Sequence, residues 1–197
     1  MMTERLSGFG KKPRLLLHSC CAPCSSHCID VLQEAAEVTI LYFNPNIFPF
    51  EEYEKRKAEQ IRLINQVYPD TGFCDCDYDH SLFLAVSRGL EGEKEGGARC
   101  AKCFELRLAA TARAAKAGGY DLFATTLTVS PHKNAPLINE IGKLVGEREG
   151  VEFLPSDFKK KDGYLHSIKL SAAYSLYRQN YCGCEFSLPA HARPETL

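Results

Sequence analysis

The sequence predicts an α/β fold, a mostly parallel sheet with flanking helices. Three observations carry this. Short apolar and β-branched segments alternate along the chain with longer segments of helical period, the order of strand–helix–strand units. No internal repeat or linker divides the 197 residues, so a single domain, 1–197, is expected to build one core. Hydrophobic residues make up 45% and charged residues 25%, a globular balance.

Residues 14–19, with Leu15, Leu16 and Leu17 in succession, read as a short buried strand. Residues from about 25 to 37 read as a helix, and 38–43 as a second strand rich in β-formers. The prolines of 44–49 make that segment a loop. Residues 51–68 form a long helix, with Ile61, Ile64 and Val67 at helical spacing. A further helix is read over 79–88, and the Gly-rich, charged stretch 91–99 is a loop. An Ala-rich helix spans 100–116 and ends at Gly118 and Gly119. Then come a strand at 121–126, a helix at 134–147, a fourth strand at 151–154 and a last helix at 164–179.

Ligands of such sheets sit at the carboxyl ends of the strands. The first cysteine cluster, Cys20, Cys21, Cys24 and Cys28, follows strand one and opens helix one. A thiolate there is favoured by the helix dipole. The segment 125–131 follows a later strand, so both belong to one functional edge.

Ten cysteines in grouped pairs are the most informative feature. Beside the first cluster stand Cys100 and Cys103, then Cys182 and Cys184, with Cys74 and Cys76 apart. Thiols paired in distant places converge on a soft metal or a redox site. No apolar run has the length of a membrane span or a signal-peptide core, so the chain is expected to be cytoplasmic and away from membranes. There, clustered cysteines are metal ligands or redox centres rather than staples.

Several chemistries fit. Cys21 and Cys24 alone suggest a thioredoxin-like dithiol oxidoreductase. Cys21, Cys24, Cys100 and Cys103 would make a zinc site in a nucleic-acid-binding module without catalysis. Four thiolates on an iron–sulfur cluster leave others for a second metal or a dithiol. Cys28, one turn beyond Cys24, reads as a small core residue. Cys182 and Cys184, with one residue between them, suit a labile disulfide and reversible two-electron chemistry. Cys74 and Cys76 share that spacing in an acidic loop, as a second redox pair or as incidental thiols. His18 reads as a satisfied core histidine at the end of strand one, and His132 as a substrate contact or loop surface. The formal net charge of −1 excludes a bulk polyanion binder, leaving only local basic patches for phosphates.

Six ordered segments resemble the QueH family of epoxyqueuosine reductases. They are 18–25 with its Cys-Cys-Ala-Pro-Cys core, 44–49, Glu52 and Tyr53 with Arg56, 99–103, 125–133, and 181–187 with Cys-Gly-Cys. The resemblance runs from about residue 14 to 187, and no motif is missing. It implies a fold of the adenine-nucleotide hydrolase and PP-loop (HUP-like) type, with the phosphate loop replaced by the cysteine-rich loop. It therefore implies no ATP.

The implied reaction reduces epoxyqueuosine at the wobble position of tRNA, turning an epoxide into an alkene without cobalamin. Carried over, Cys20, Cys21, Cys100 and Cys103 hold a [4Fe–4S] cluster, and Cys182 and Cys184 are the redox dithiol. A second iron is expected, with Cys24, Cys182 and Cys184 as candidate ligands. Tyr181, His132 and Asp79 are candidates to protonate the leaving oxygen. The implied partners are the anticodon stem-loop of tRNA and an unidentified electron donor. Arg99, Lys102, Lys133, Lys159, Lys160 and Lys161 are the basic residues expected to meet that RNA.

Overall fold

Five parallel strands form one sheet in the order β3-β2-β1-β4-β5 in the computed structural model, which describes Leu6 and residues 8–188. They are β1 (Arg14–His18), β2 (Glu37–Tyr42), β3 (Gly72–Asp75), β4 (Leu122–Thr125) and β5 (Glu152–Phe153). The helices are α1 (Ala22–Leu32), α2 (Phe50–Val67), α3 (Ser81–Ser87), α4 (Ala98–Ala117), α5 (Ala135–Glu149) and α6 (Gly163–Ala173). Short 3₁₀ turns cover Thr126–Val129 and Glu185–Ser187.

The leucine run of β1 is buried on both faces because helices cover both. Leu15 and Leu17 join Ile29 and Leu32 of α1 and Leu63 and Ile64 of α2 in one cluster. Leu16 points the other way, to Phe104 and Leu108 of α4 and Ile138 and Val145 of α5. Strand alternation thus feeds two cores with one sequence run. Cys28 is fully buried in the first of these, as a core residue.

Three boundaries depart from the sequence reading. β3 is a strand that the local sequence does not signal. The first helix begins at Ala22, with Cys21 as its N-cap and a proline in its first turn, a position that suits proline because the missing N–H is an orphan there anyway. The last helix stops at Ala173, not at residue 179, because Ser175 takes a positive φ of 50°. The chain beyond it is held from another helix. Arg62 Nη2 donates to the carbonyls of Tyr174 and Ser175, and the Tyr177 N–H donates to Glu59. Irregular chain from 174 onward therefore returns toward the carboxyl edge of the sheet.

The strand order reverses direction at β1, between β2 and β4. The carboxyl ends of β1 and β4 mark the point where such sheets open a crevice.

Candidate functional site

Cys20 and Cys21 follow β1 directly and are buried, with their sulfurs 3.9 Å apart. Cys24 lies one turn into α1, half-buried. Cys100 and Cys103 stand on the first turns of α4. Cys100 shares an apolar cluster with Cys20 and Cys21, and Cys103 packs with Cys184 and Phe83. Cys100, Cys103, Cys182 and Cys184 also line one small cavity with Phe83, Phe104 and Arg107. Three distant stretches of chain thus meet at the crevice. Cys74 and Cys76 lie at the end of the outer strand, exposed and half-buried respectively. All ten cysteines are unpaired thiols.

Arg107 organises the centre. It lies on the same face of α4 as Cys100 and Cys103, three and four residues apart in turn, and is 1% exposed. Its Nε donates to His18 Nε2 at 3.2 Å, its Nη2 to Asn44 Oδ1 at 2.7 Å, and its Nη1 approaches the Cys103 sulfur at 4.0 Å. Asn44 in turn donates to the Ser19 carbonyl, which fixes the cysteine loop. Arg107 can only donate, so its bond assigns the His18 proton to Nδ1, facing Thr125 Oγ1 at 3.0 Å, while the Phe43 carbonyl also approaches Nε2 at 3.2 Å. Burial, with the Arg107 charge behind it, pulls His18 down to about 3, so the ring is a neutral structural bridge between β1, α4 and β4.

Two cations face the thiols. The Lys133 ammonium lies 3.3 Å from the Cys182 sulfur. Burial opposes the charge of both Lys133 and Arg107, yet the neighbouring cysteine sulfurs outweigh it and hold both fully protonated. Among the described residues neither cation meets a carboxylate; their partners are His18, Asn44, Cys103 and Cys182. Arg107 is buried without a counter-charge, an unfavourable arrangement that an anionic sulfur beside it would offset. Hydrogen bonds from the Cys21 and Cys24 thiols, with Arg107 beyond, hold Cys20 well below the usual thiol range. Cys21 is pushed up to about 11, chiefly by its bond to Cys20. Burial pushes Cys103 up to about 11 and Cys184 to about 12.

The last segment is anchored by Arg56, also 1% exposed. It pairs with Glu52 at 2.6 Å and donates to the carbonyls of Cys182 and Tyr181. Between the two cysteines Gly183 has φ +107°, and its carbonyl accepts from Phe48 N at 2.8 Å. A Cβ there would lie 2.9 Å from Arg56 Nη1 and 3.1 Å from Ile47 Cγ1.

An open cleft of about 350 Å³ reaches this centre from outside. Cys20, Cys24 and Cys182 form its floor, and His132, Lys133, Tyr164, Arg178, Gln179 and Tyr181 are among its walls. Two of the three acid candidates line it. Tyr181 donates to the Phe48 carbonyl, and burial pushes its hydroxyl up to about 12; His132 is exposed on the rim. Asp79 is elsewhere, accepting from Ser81 N and Oγ at the start of α3. Of the basic residues expected to meet RNA, Arg99 is buried and donates to the carbonyls of Leu90, Glu91 and Glu93, so it serves the loop rather than a ligand. Lys133 points inward to Cys182, and Lys102 pairs with Glu105. Arg107, Asn44 and Gln179 lie outside the sequence expectation for the site, and nothing local distinguishes Arg107 from Arg99, each four residues from Cys103.

A family model described as Epoxyqueuosine reductase QueH matches residues 15–190. The chain belongs to the QueH family. It is 45% identical over 184 residues to Epoxyqueuosine reductase QueH of Staphylococcus epidermidis, covering 90% of this chain and 77% of that protein. It is 41% identical to the protein of that name from Streptococcus pyogenes, covering 89% and 71%. The Thermotoga maritima protein of that name is 35% identical, covering 88% of this chain and 90% of its own length. Membership makes the chain an oxidoreductase and selects reductase over zinc module and thioredoxin-like enzyme. Its parallel five-stranded sheet with helices on both faces is consistent with the HUP-like architecture. Among the described residues no helix is long and apolar enough to cross a membrane, and no three His, Cys, Asp or Glu side chains are gathered tightly enough to hold a single ion. The donor set itself suits an iron–sulfur group: soft sulfur ligands from separate segments, and two cations without a carboxylate to offset its charge.

Proposed function

We propose that the chain reduces epoxyqueuosine at the wobble position of tRNA to queuosine, using a [4Fe–4S] cluster held by Cys20, Cys21, Cys100 and Cys103 beside a redox dithiol, Cys182 and Cys184. The observation that carries this is one small cavity in which Cys100, Cys103, Cys182 and Cys184 meet the buried Arg107, whose Nη1 lies 4.0 Å from the Cys103 sulfur.

The reaction balances on these residues. An epoxide plus two electrons and two protons gives an alkene and water. Two thiols closing to a disulfide release that many electrons and protons. Cys182 and Cys184 are adjacent to the cleft floor, and Gly183 allows the tight turn between them. The cluster would pass electrons to this site one at a time. Cys24 on the cleft floor, with Cys182 and Cys184, is the candidate set for a second iron. Lys133 presents its positive charge where the epoxide oxygen becomes negative, a preorganised stabilisation. Tyr181 and His132 are the proton donors the cleft offers to that oxygen. An external donor must reopen the disulfide after each turnover. Cys20, Cys21, Pro23 and Cys24 stand where a phosphate loop would offer N–H groups, and Pro23 has none to give, so no ATP step is proposed.

Anaerobically purified protein tests the reading. It should be brown, and Cys103→Ser should lose iron, sulfide and turnover. Full iron content in that variant would remove Cys103 from the ligand set. Cys184→Ser should keep its acid-labile sulfide while turnover collapses; loss of sulfide there would make Cys184 a cluster ligand instead of a redox partner.

A further inference from the structure

We propose that the turn carrying Lys159, Lys160 and Lys161, on the rim of the cleft, is the docking point for the phosphate backbone of the RNA substrate. This rests on the reading that the substrate is a tRNA, and it names the surface that would hold it.

The turn is strained and rigidly held. Lys161 and Asp162 have φ of 51° and 61° in succession, a left-handed backbone that residues bearing a Cβ rarely adopt. The strain follows from the next residue. Gly163 opens α6 so tightly packed that a Cβ would lie 1.8 Å from the Phe158 carbonyl and 2.4 Å from His27 Nε2. Backbone bonds fix the rest. Lys159 N donates to Thr128 O at 3.2 Å, Lys160 N to Asp157 O at 3.1 Å, and Gly163 N to Lys160 O at 3.1 Å. A rigid backbone therefore turns its lysines outward, and the Lys160 side chain is 77% exposed.

The position matches the need. Lys159 Nζ donates to the Lys133 carbonyl at 3.3 Å, tying the turn to the cleft wall. Tyr164 and Ser167 of α6 line the cleft a few residues further on, and the exposed Arg178 stands on the same rim. Three consecutive lysines stand in this turn against Asp157 and Asp162, and the cleft beside it carries Arg178 and Lys133 against Glu95, in a chain of net charge −1. Asp157 lies 3.3 Å from Lys159 and 3.4 Å from Lys160. Such surface pairs are weak, and a phosphate can exchange for the carboxylate. Lysine on phosphate releases counterions, so this docking carries the salt dependence of the complex.

The test is anisotropy of a labelled RNA hairpin, an anticodon stem-loop, titrated with cluster-loaded protein from about 50 mM to about 200 mM salt. The Lys160→Ala/Lys161→Ala double variant should bind about 5-fold or more weakly, and its salt slope should fall by one to two, roughly one per lost contact. Turnover at saturating RNA should persist while KM rises. Lys102→Ala, away from the cleft, should bind as wild type does. Lys161→Gly guards against misfolding: relieving the left-handed backbone should leave the thermal midpoint at or above wild type while RNA affinity falls. Double-variant binding equal to wild type in strength and slope would overturn the proposal. Failure of wild-type protein to bind the hairpin at any salt would overturn the tRNA reading beneath it.

Discussion

The ammonium of Lys133 lies 3.3 Å from the sulfur of Cys182. That contact ties the loop after β4 to the Cys-Gly-Cys segment, and it puts a positive charge on one member of the proposed redox dithiol. Hydrogen bonds to charged groups contribute about 1.5–3 kcal/mol. Lys133→Met should therefore slow single-turnover reduction by about 10- to 100-fold. Potentiometric titration should place its redox midpoint more negative than wild type, because a cation that favours added electrons is gone. Lys133→Arg keeps the charge and should recover most of the midpoint; equal midpoints in all three proteins would remove Lys133 from this role.

Gly183→Ala should damage the site and spare the sheet. Its φ of +107° and the 2.9 Å approach to Arg56 leave no room for a methyl group. A stability loss of about 1–2 kcal/mol is expected from the backbone alone, read as a lower denaturant midpoint. Turnover should fall further than stability does, since the displaced group is the segment that carries Cys182 and Cys184. Iron content should stay near wild type, because Cys20, Cys21, Cys100 and Cys103 lie on other elements.

Arg107→Met should orphan two buried acceptors, His18 Nε2 and Asn44 Oδ1. At about 1–3 kcal/mol each, the variant should lose about 2–6 kcal/mol of stability. The charge is lost as well, so iron retention during anaerobic gel filtration should drop. Unchanged retention would mean that the thiols hold an anionic group without this cation.

His27 and His166 bring their Nδ1 atoms to 3.0 Å across the contact of α1 with α6. Burial, reinforced by His166, lowers the His27 pKa. A histidine depressed in the folded state contributes stability above its unfolded pKa of about 6.5 and loses it as pH falls below that value. Asp30 and the Phe158 carbonyl favour the charged ring and soften the effect. Urea midpoints should therefore drop between pH 7.5 and pH 5, and His27→Gln should flatten that drop. An unaltered slope in the variant would place the acid sensitivity elsewhere.

Much of the fold is written locally. The leucine run of β1 and the apolar stripes of α2 and α5 are periodic signals that sequence alone carries. β3 is not, because Gly72, Phe73, Cys74 and Asp75 gain strand geometry only by pairing with Thr39 to Tyr42 of β2. The early end of α6 is also nonlocal: its carbonyls and amides are claimed by Arg62 and Glu59 of α2, over a hundred residues away. The cysteine pairs announced the site, since paired thiols have few other uses in one chain. Its cations did not. Arg99 and Arg107 sit on one helix and look alike in sequence, yet one braces a loop and the other the thiols. Lys133 lies in a segment that reads equally well as a surface loop. Such roles depend on which way a side chain turns after the sheet has closed.

The sulfur-bearing segments occupy positions 20–24, 100–103 and 182–184, so they leave the ribosome far apart in time. Cys20 and Cys21 emerge early and wait, as reactive neighbours, while most of the chain is still being made. Their shared cation, Arg107, and the inward-turned Lys133 arrive next, and the Arg56-anchored turn at Gly183 comes last. The three segments therefore meet only after residue 184 has been made. Loading of the proposed cluster would in this sense follow folding, and the thiols would have to stay reduced through that interval.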